Sequence, residues 1–413
     1  MLAALGPGLI TGASDDDPSG IATYSQAGAQ FGYALSWVLL FSWPLMAAAQ
    51  MVSARIGRVT GLGIAGALRQ HGFATTLRLL VTLLLVANII NLGADLSAMA
   101  DATRLLIGVP QWLLVLAFGA FCIWMQVFLP YARTVHILKW LTLSLFAYFA
   151  TVLIVDVDWQ QAGRDLLLPT IRFDRDFLTT IVAVLGTTIS PYLFFWQAAE
   201  EAEDVRAYPH RKNLLHSPEQ AQAALARIRT DTILGMGFSN LVALAILLTT
   251  AATLHAHGVT QVQTSAEAAE ALRPIAGPFA FAVFALGIIG TGLLAVPVLA
   301  GSAAYALGEA FHWRTGLSRK PSKARAFYTT IAAATGLGMA LSFAPIDPMR
   351  ALFWAAVLNG VIAVPIMVVM MMAASSRMTM GDYAIKGMLR IAGWLATLVM
   401  GAASLAMFAM MLD

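Results

Sequence analysis

Apolar residues run along this chain in blocks of about 20, the length a helix needs to cross the hydrocarbon core of a bilayer. Eleven blocks are predicted as spanning helices: about 6–30, 33–54, 79–101, 111–129, 136–156, 175–204, 230–255, 277–310, 325–344, 349–374 and 389–411. Two carry polar interruptions. The first is broken near 15–20, where Asp15, Asp16 and Asp17 are followed by Pro18, Ser19 and Gly20. The sixth is broken near 187–191, at Thr187-Thr188-Ile189-Ser190-Pro191. Proline, glycine and small polar residues at membrane depth open a helix and release backbone groups for binding. Ionised side chains there cost about 2.5–3.5 kcal/mol each on insertion scales, which points to a function. The two breaks lie five helices apart. They fall at corresponding places if about 6–156 and about 175–374 are inverted repeats, with 389–411 an extra helix. Paired broken helices of this kind mark a transport site near the membrane midplane. The expected organisation is one transmembrane transporter domain over residues 1–413.

Composition agrees: 59% of residues are hydrophobic and 11% charged, against roughly 25% charged in a soluble domain. The net charge of +3 says less than its distribution. With a cytoplasmic N-terminus, 19 of the 25 basic residues fall in inside loops and 6 outside. The outside set is Arg104, Arg164, Arg172, Arg175, Arg273 and Arg350. That bias predicts N-in and C-out in a bacterial-type inner membrane. The first block lacks a basic flank, so no cleaved leader is expected. The single cysteine, Cys122, excludes a disulfide scaffold. No nucleic-acid stripe, nucleophile–base set or zinc motif is present, and the Gly57–Gly66 stretch lacks the Lys-Ser/Thr of a P-loop. Neither an enzyme nor an ATP-driven pump is indicated. The stretch 205–229 is expected to be a polar linker with a short amphipathic helix. No obligate protein partner or resident cofactor is implied; the partners are the bilayer and the transported solute.

Five motifs, in order, resemble the Nramp family of proton-coupled metal-ion transporters. They are Leu5-Gly6-Pro7-Gly8, Asp17-Pro18-Ser19-Gly20, Gln50 to Gly57 with Val59-Thr60-Gly61, Asn91-Leu92-Gly93-Ala94-Asp95-Leu96, and Ser190-Pro191-Tyr192-Leu193. The resemblance implies an all-α membrane protein of LeuT-type five-plus-five architecture with helices one and six broken. It also implies a metal site built from Asp17, position 20, position 190 and the Thr187 carbonyl, with Asp95 on a proton path. This chain departs from the family pattern where an Asn becomes Gly20, a Met becomes Ser190, and a His-Asn pair becomes Tyr192-Leu193. Near Asp95, the acidic residue expected three positions on is replaced by Ala98 or Met99.

A thioether is a soft ligand, and its loss leaves an oxygen-only set: Asp17, Asp16, the Ser190 and Thr187 hydroxyls and unwound carbonyls. Such a set suits magnesium or manganese, and Gly20 and Ser190 should leave a wider cavity for a partly hydrated ion. Related magnesium transporters that lack the methionine set a precedent. Three adjacent aspartates point about 100° apart on a helix, so not all can face one site. Asp15, Tyr192, Gln197 and Glu200 are candidates for a vestibule, with Glu201, Glu203 and Asp204 drawing cations towards the exit. His255 and His257 have metal-like spacing. The expected function is secondary uptake of a divalent cation by alternating access. Two alternatives stay open: a symporter for a metal–organic acid complex or small organic solute, since helix starts and hydroxyls also bind carboxylates, and a cation channel.

Overall fold

Lipid offers peptide groups no hydrogen-bond partners, so a chain this apolar must satisfy its backbone within helices. The computed structural model describes residues 11–12, 14–69, 74–129, 146–208 and 210–412, and every regular element among them is helical. The longer helices are α1 (Pro18–Phe31), α2 (Ser36–Thr60), α3 (Ala74–Ile107), α4 (Gln111–Phe128), α5 (Phe146–Val152), α6 (Trp159–Leu167) and α7 (Arg175–Thr188). They continue with α8 (Pro191–Ala207), α9 (Ala221–Thr253), α10 (Ala280–Ala310), α11 (Arg325–Leu341), α12 (Pro348–Ser375) and α13 (Gly387–Leu412). Eight stretches among the described residues are long and apolar enough to cross a membrane. α11 has 17 residues, at the lower limit of about 17 for a spanning helix.

Both interruptions occur where the sequence places them, and each is sharp. Residues 14 and 15 are helical, the chain leaves the helix at Asp16–Asp17, and α1 starts at Pro18. α7 ends at Thr188, and α8 restarts at Pro191 after two non-helical residues. Proline suits a first helical position, where its missing N–H would have had no partner. α1 packs mainly on α9, α12 and α7; α8 packs on α2 and α10; α3 packs on α10, α11 and α12. The interrupted segments are therefore enclosed by long continuous helices. The stretch Arg175–Ala207 is buried throughout its most apolar window.

Small residues let these helices approach closely, as in lipid, where packing rather than water exclusion drives association. A Cβ added at Gly186 would lie 2.1 Å from the Ala356 carbonyl oxygen of α12. One at Gly57 would lie 2.2 Å from the Ala198 carbonyl, and one at Gly12 2.4 Å from that of Gly235. These contacts fix the half-helices α7 and α8 and the segment before the first break.

Two expectations are revised, and one falls largely outside the described residues. The stretch 205–229 is not all linker: α9 begins at Ala221, so Arg227 sits on a helix facing α8. The connection before α7 contains an unforeseen helix, α6, capped by Asp158, which accepts the Gln161 N–H at 2.9 Å. The fifth span, about 136–156, is represented only by α5, because its first part lies outside the described residues, as do Leu5–Gly8, His71 and His136.

Gly186→Val is expected to lower the melting temperature of the purified protein. Overpacking of a tight contact costs about 1–3 kcal/mol, and differential scanning fluorimetry in detergent would read it. An unchanged melting curve would mean that the α7–α12 contact is not tight in solution.

Candidate functional site

Asp17 is the residue on which the first break turns. Its backbone is extended, and its carboxylate caps α1: Oδ1 accepts the Gly20 N–H at 2.8 Å and the Ser19 hydroxyl at 2.6 Å. A carboxylate at a helix start is favoured by the dipole as well as by these donors. Oδ2 lies 3.1 Å from the Tyr192 hydroxyl, which is also 3.1 Å from the Ser14 carbonyl oxygen. Tyr192 is the second residue of α8. One side chain thus ties the restart of the second broken helix to both sides of the first break.

The second break closes on itself. The Ser190 hydroxyl lies 2.8 Å from the Gly186 carbonyl and 2.7 Å from that of Thr187, two acceptors left over at the end of α7. The Thr187 hydroxyl lies 2.9 Å from the Tyr24 hydroxyl on α1 and donates to the Val184 carbonyl at 3.0 Å. Asp17, Gly20, Thr187, Ser190 and Tyr192 are all buried at one junction, together with Tyr24. Tyr192 belongs to this junction and not to a vestibule.

The structure does not give Gly20 the wider space expected of it. A Cβ there would meet the Tyr24 ring at 3.2 Å and the Asp15 carbonyl at 3.4 Å. The room left by a smaller residue is filled by an aromatic from the same helix. Tyr24 escaped the sequence reading, although it lies seven residues after Asp17, two turns along the same face.

The three aspartates diverge. Asp15 and Asp16 turn to Ser239 of α9, whose hydroxyl lies 2.6 Å from Asp15 Oδ2 and 3.2 Å from Asp16 Oδ1. Asp15 Oδ1 and Asp16 Oδ2 are buried without a hydrogen-bond partner. Asp16, placed with Asp17 in the expected ligand set, therefore sits on the α9 side, and Asp15 is buried with it. Nothing in the local sequence of α9 singles out Ser239, because the pairing joins residues more than 200 positions apart. Among the described residues no three His, Cys, Asp or Glu side chains converge as a metal-binding group.

Asp95 is buried in α3, and neither carboxylate oxygen has a partner. It is near enough to Asp17 and Tyr192 to act on both electrostatically. Asn91 and Asn88 stand one and two turns away on the same face, and the Asn88 amide donates to the Ser302 hydroxyl and the Leu299 carbonyl of α10, each at 2.8 Å. Met99 packs where a Cβ on Gly292 would lie 2.5 Å from its sulfur and 3.3 Å from Pro18 Cγ, so α3 and α10 meet at the first break.

The acidic run after the second break is pinned, not open. Glu201 pairs with Arg227 of α9 at 2.5 Å. Glu203 accepts the Ser318 N–H at 2.8 Å and its hydroxyl at 2.6 Å, and also bonds the Tyr305 hydroxyl. Asp204 pairs with Arg211. Gln197 is buried against Thr232 of α9 at 3.4 Å, and Glu200 is half-buried beside it. Glu201 and Glu203 tie α8 to its neighbours and Asp204 ties it to the loop that follows, so among the described residues these three acids are paired and not free to line an exit. His255 and His257 do not share a ligand either: their Nδ1 atoms contact different carbonyls, Ala29 at 2.8 Å and Thr253 at 2.5 Å.

The chain is 28% identical over 302 residues to the divalent metal cation transporter MntH of Yersinia pestis (strain Pestoides F), covering 71% of this chain and 69% of that protein. It is 26% identical over 403 residues to MntH of Acidiphilium cryptum (strain JF-5), covering 94% and 86%. Its fold is similar to that of the Eremococcus coleocola manganese transporter, with a TM-score of 0.74 at 18% identity over 98% of this chain and 85% of that one. It is also similar to Mhp1, a nucleobase-cation-symport-1 family transporter, with a TM-score of 0.55 at 16% identity over 98% and 92%. The fold is thus LeuT-like. The profile of the natural resistance-associated macrophage protein-like family, Nramp, matches residues 8–410, and the chain belongs to that family of membrane transporters.

Proposed function

We propose that this protein is a secondary active importer of a hard or partly hydrated divalent cation, magnesium or manganese. The observation that carries the reading is the Asp17 carboxylate at the first helix break, facing Tyr192 of the second. Family membership and the MntH relatives support divalent metal as the cargo. The ligand set consists of Asp17, the Ser190 hydroxyl and the Thr187 carbonyl and hydroxyl, all oxygen donors of the kind hard cations take. Asp16, held near by Ser239, serves as a reserve carboxylate. Binding replaces the Ser19 and Tyr192 donors on Asp17 with the metal, which frees Tyr192 and loosens the tie between the broken helices.

The reading includes eleven spans in two inverted repeats, an N-terminus in the cytoplasm and a C-terminus outside. Alternating access follows from α1, α2, α7 and α8 rocking against α3, α10 and α11. Asp95, buried without a partner near Asp17, takes up the coupling proton; it has no other neutralising group among the described residues.

Asp17→Ala should abolish manganese and magnesium uptake into proteoliposomes, read with ion-sensitive dyes; full activity would remove Asp17 from the site. Gly20→Asn combined with Ser190→Met should raise cadmium uptake relative to magnesium at least tenfold, provided that the Tyr24 ring moves aside. An unchanged preference would mean that ligand softness does not set selectivity here. Asp95→Asn should leave metal uptake measurable while removing the accompanying acidification of the lumen; persistent acidification would exclude Asp95 as the proton carrier.

A further inference from the structure

At the outer ends of α1, α7 and α12 lies a chamber of about 360 Å³, within the range of about 300–1,000 Å³ usual for small-molecule sites. Its floor includes Ala22 and Thr180. These stand five residues beyond Asp17 and seven before Thr187, or about 8 and 10 Å along their helices at 1.5 Å per residue. The chamber therefore lies within about two helical turns of the site. Its chemistry is wrong for a bare divalent cation, whose approach is normally lined by carboxylates. Arg175 and Arg350 both line it, and neither belongs to an ion pair among the described residues. Asp176 is the one acid in the lining. α7 starts at Arg175 behind its cap Asp174, which accepts the Phe177 N–H at 2.9 Å, and α12 starts at Pro348 after Asp347, so the positive charge at this mouth comes from the two arginines and not from the helix starts. Gln26 and Gln261 add amides, and Gln26 accepts the Val262 N–H at 2.8 Å, holding the irregular segment 261–263 as one wall. Trp354 supplies an apolar face.

We propose that this outer chamber binds the carboxylates of a small organic polyacid, and that the metal reaches the transport site as the chelate of such an acid. Paired guanidinium groups match carboxylates in geometry as well as charge. Neutral amides and one aromatic face accommodate the hydroxyl groups and carbon skeleton of a citrate-like molecule. A chelate with net negative charge passes two arginines that repel an aquo ion. The second half of the proposal rests on the divalent-cation reading above; the first half does not.

Citrate, alone and as manganese citrate, is the probe. In the full-length protein carrying Asp17→Ala, citrate should quench the fluorescence of Trp354 saturably, with Trp354→Phe removing the signal but not the heat of binding by calorimetry. Arg175→Gln with Arg350→Gln should weaken citrate binding at least tenfold in a protein of unchanged melting temperature. No saturable citrate binding at millimolar concentration, or binding indifferent to the two arginines, would overturn the chamber. In proteoliposomes of otherwise wild-type protein, the double variant should lower the ratio of manganese uptake from citrate to uptake from the aquo ion at least tenfold. An unchanged ratio would overturn delivery as a chelate. Absence of uptake of any divalent metal in any form would instead defeat the transport reading, while the binding measurement would still decide the chamber.

Discussion

A carboxylate that caps a helix inside a membrane is the constraint from which the rest of this structure follows. α1 begins at mid-chain depth with backbone N–H groups that lipid cannot satisfy. Asp17 satisfies one of them and holds Ser19 and Tyr192 besides. Its charge then requires a protein-lined interior, which the long helices α3, α9, α10 and α12 provide. The second break exists beside the first because Tyr192 must stand close enough to reach Asp17. The small-residue contacts at Gly186, Gly57 and Gly12 bring the half-helices and their supports to that distance.

The two ends of the second broken segment are held by different physics. In its first half, α7 presses against α12 through glycine and a backbone carbonyl, a contact that depends on shape. Towards its other end, α8 is held by charge: Glu201 to Arg227, Asp204 to Arg211, and Glu203 to Ser318 and Tyr305. Buried pairs contribute little net stability but strongly penalise separation of one partner from the other.

Much of this was legible from residue pattern. Eight of the apolar stretches and both breaks follow from apolar periodicity and from proline placed among small polar residues, while Ser190 and Thr187 were joined to Asp17 by the family resemblance. What the sequence hid was mostly relational. Ser239 is one serine among many in apolar helices, and only folding sets it against Asp15 and Asp16. Gly20 reads as vacated space until the Tyr24 ring is seen to occupy it. The acids after Pro191 read as an open charged path because their partners lie elsewhere: Arg227 on α9, Arg211 in the loop after α8, and Ser318 more than 100 residues on. α6 was missed because an amphipathic helix lying outside the apolar core leaves no long hydrophobic block.

The hydroxyls at the two breaks also set a count of protons against acceptors. Tyr192 has one hydroxyl proton and two oxygens within reach, Ser14 carbonyl and Asp17 Oδ2. Ser190 has one proton and likewise two oxygens, the carbonyls of Gly186 and Thr187. Each hydroxyl's single proton can serve only one of its two oxygens at a time. A single small positive centre can serve several oxygens at once, which no rotation of the existing hydroxyls achieves.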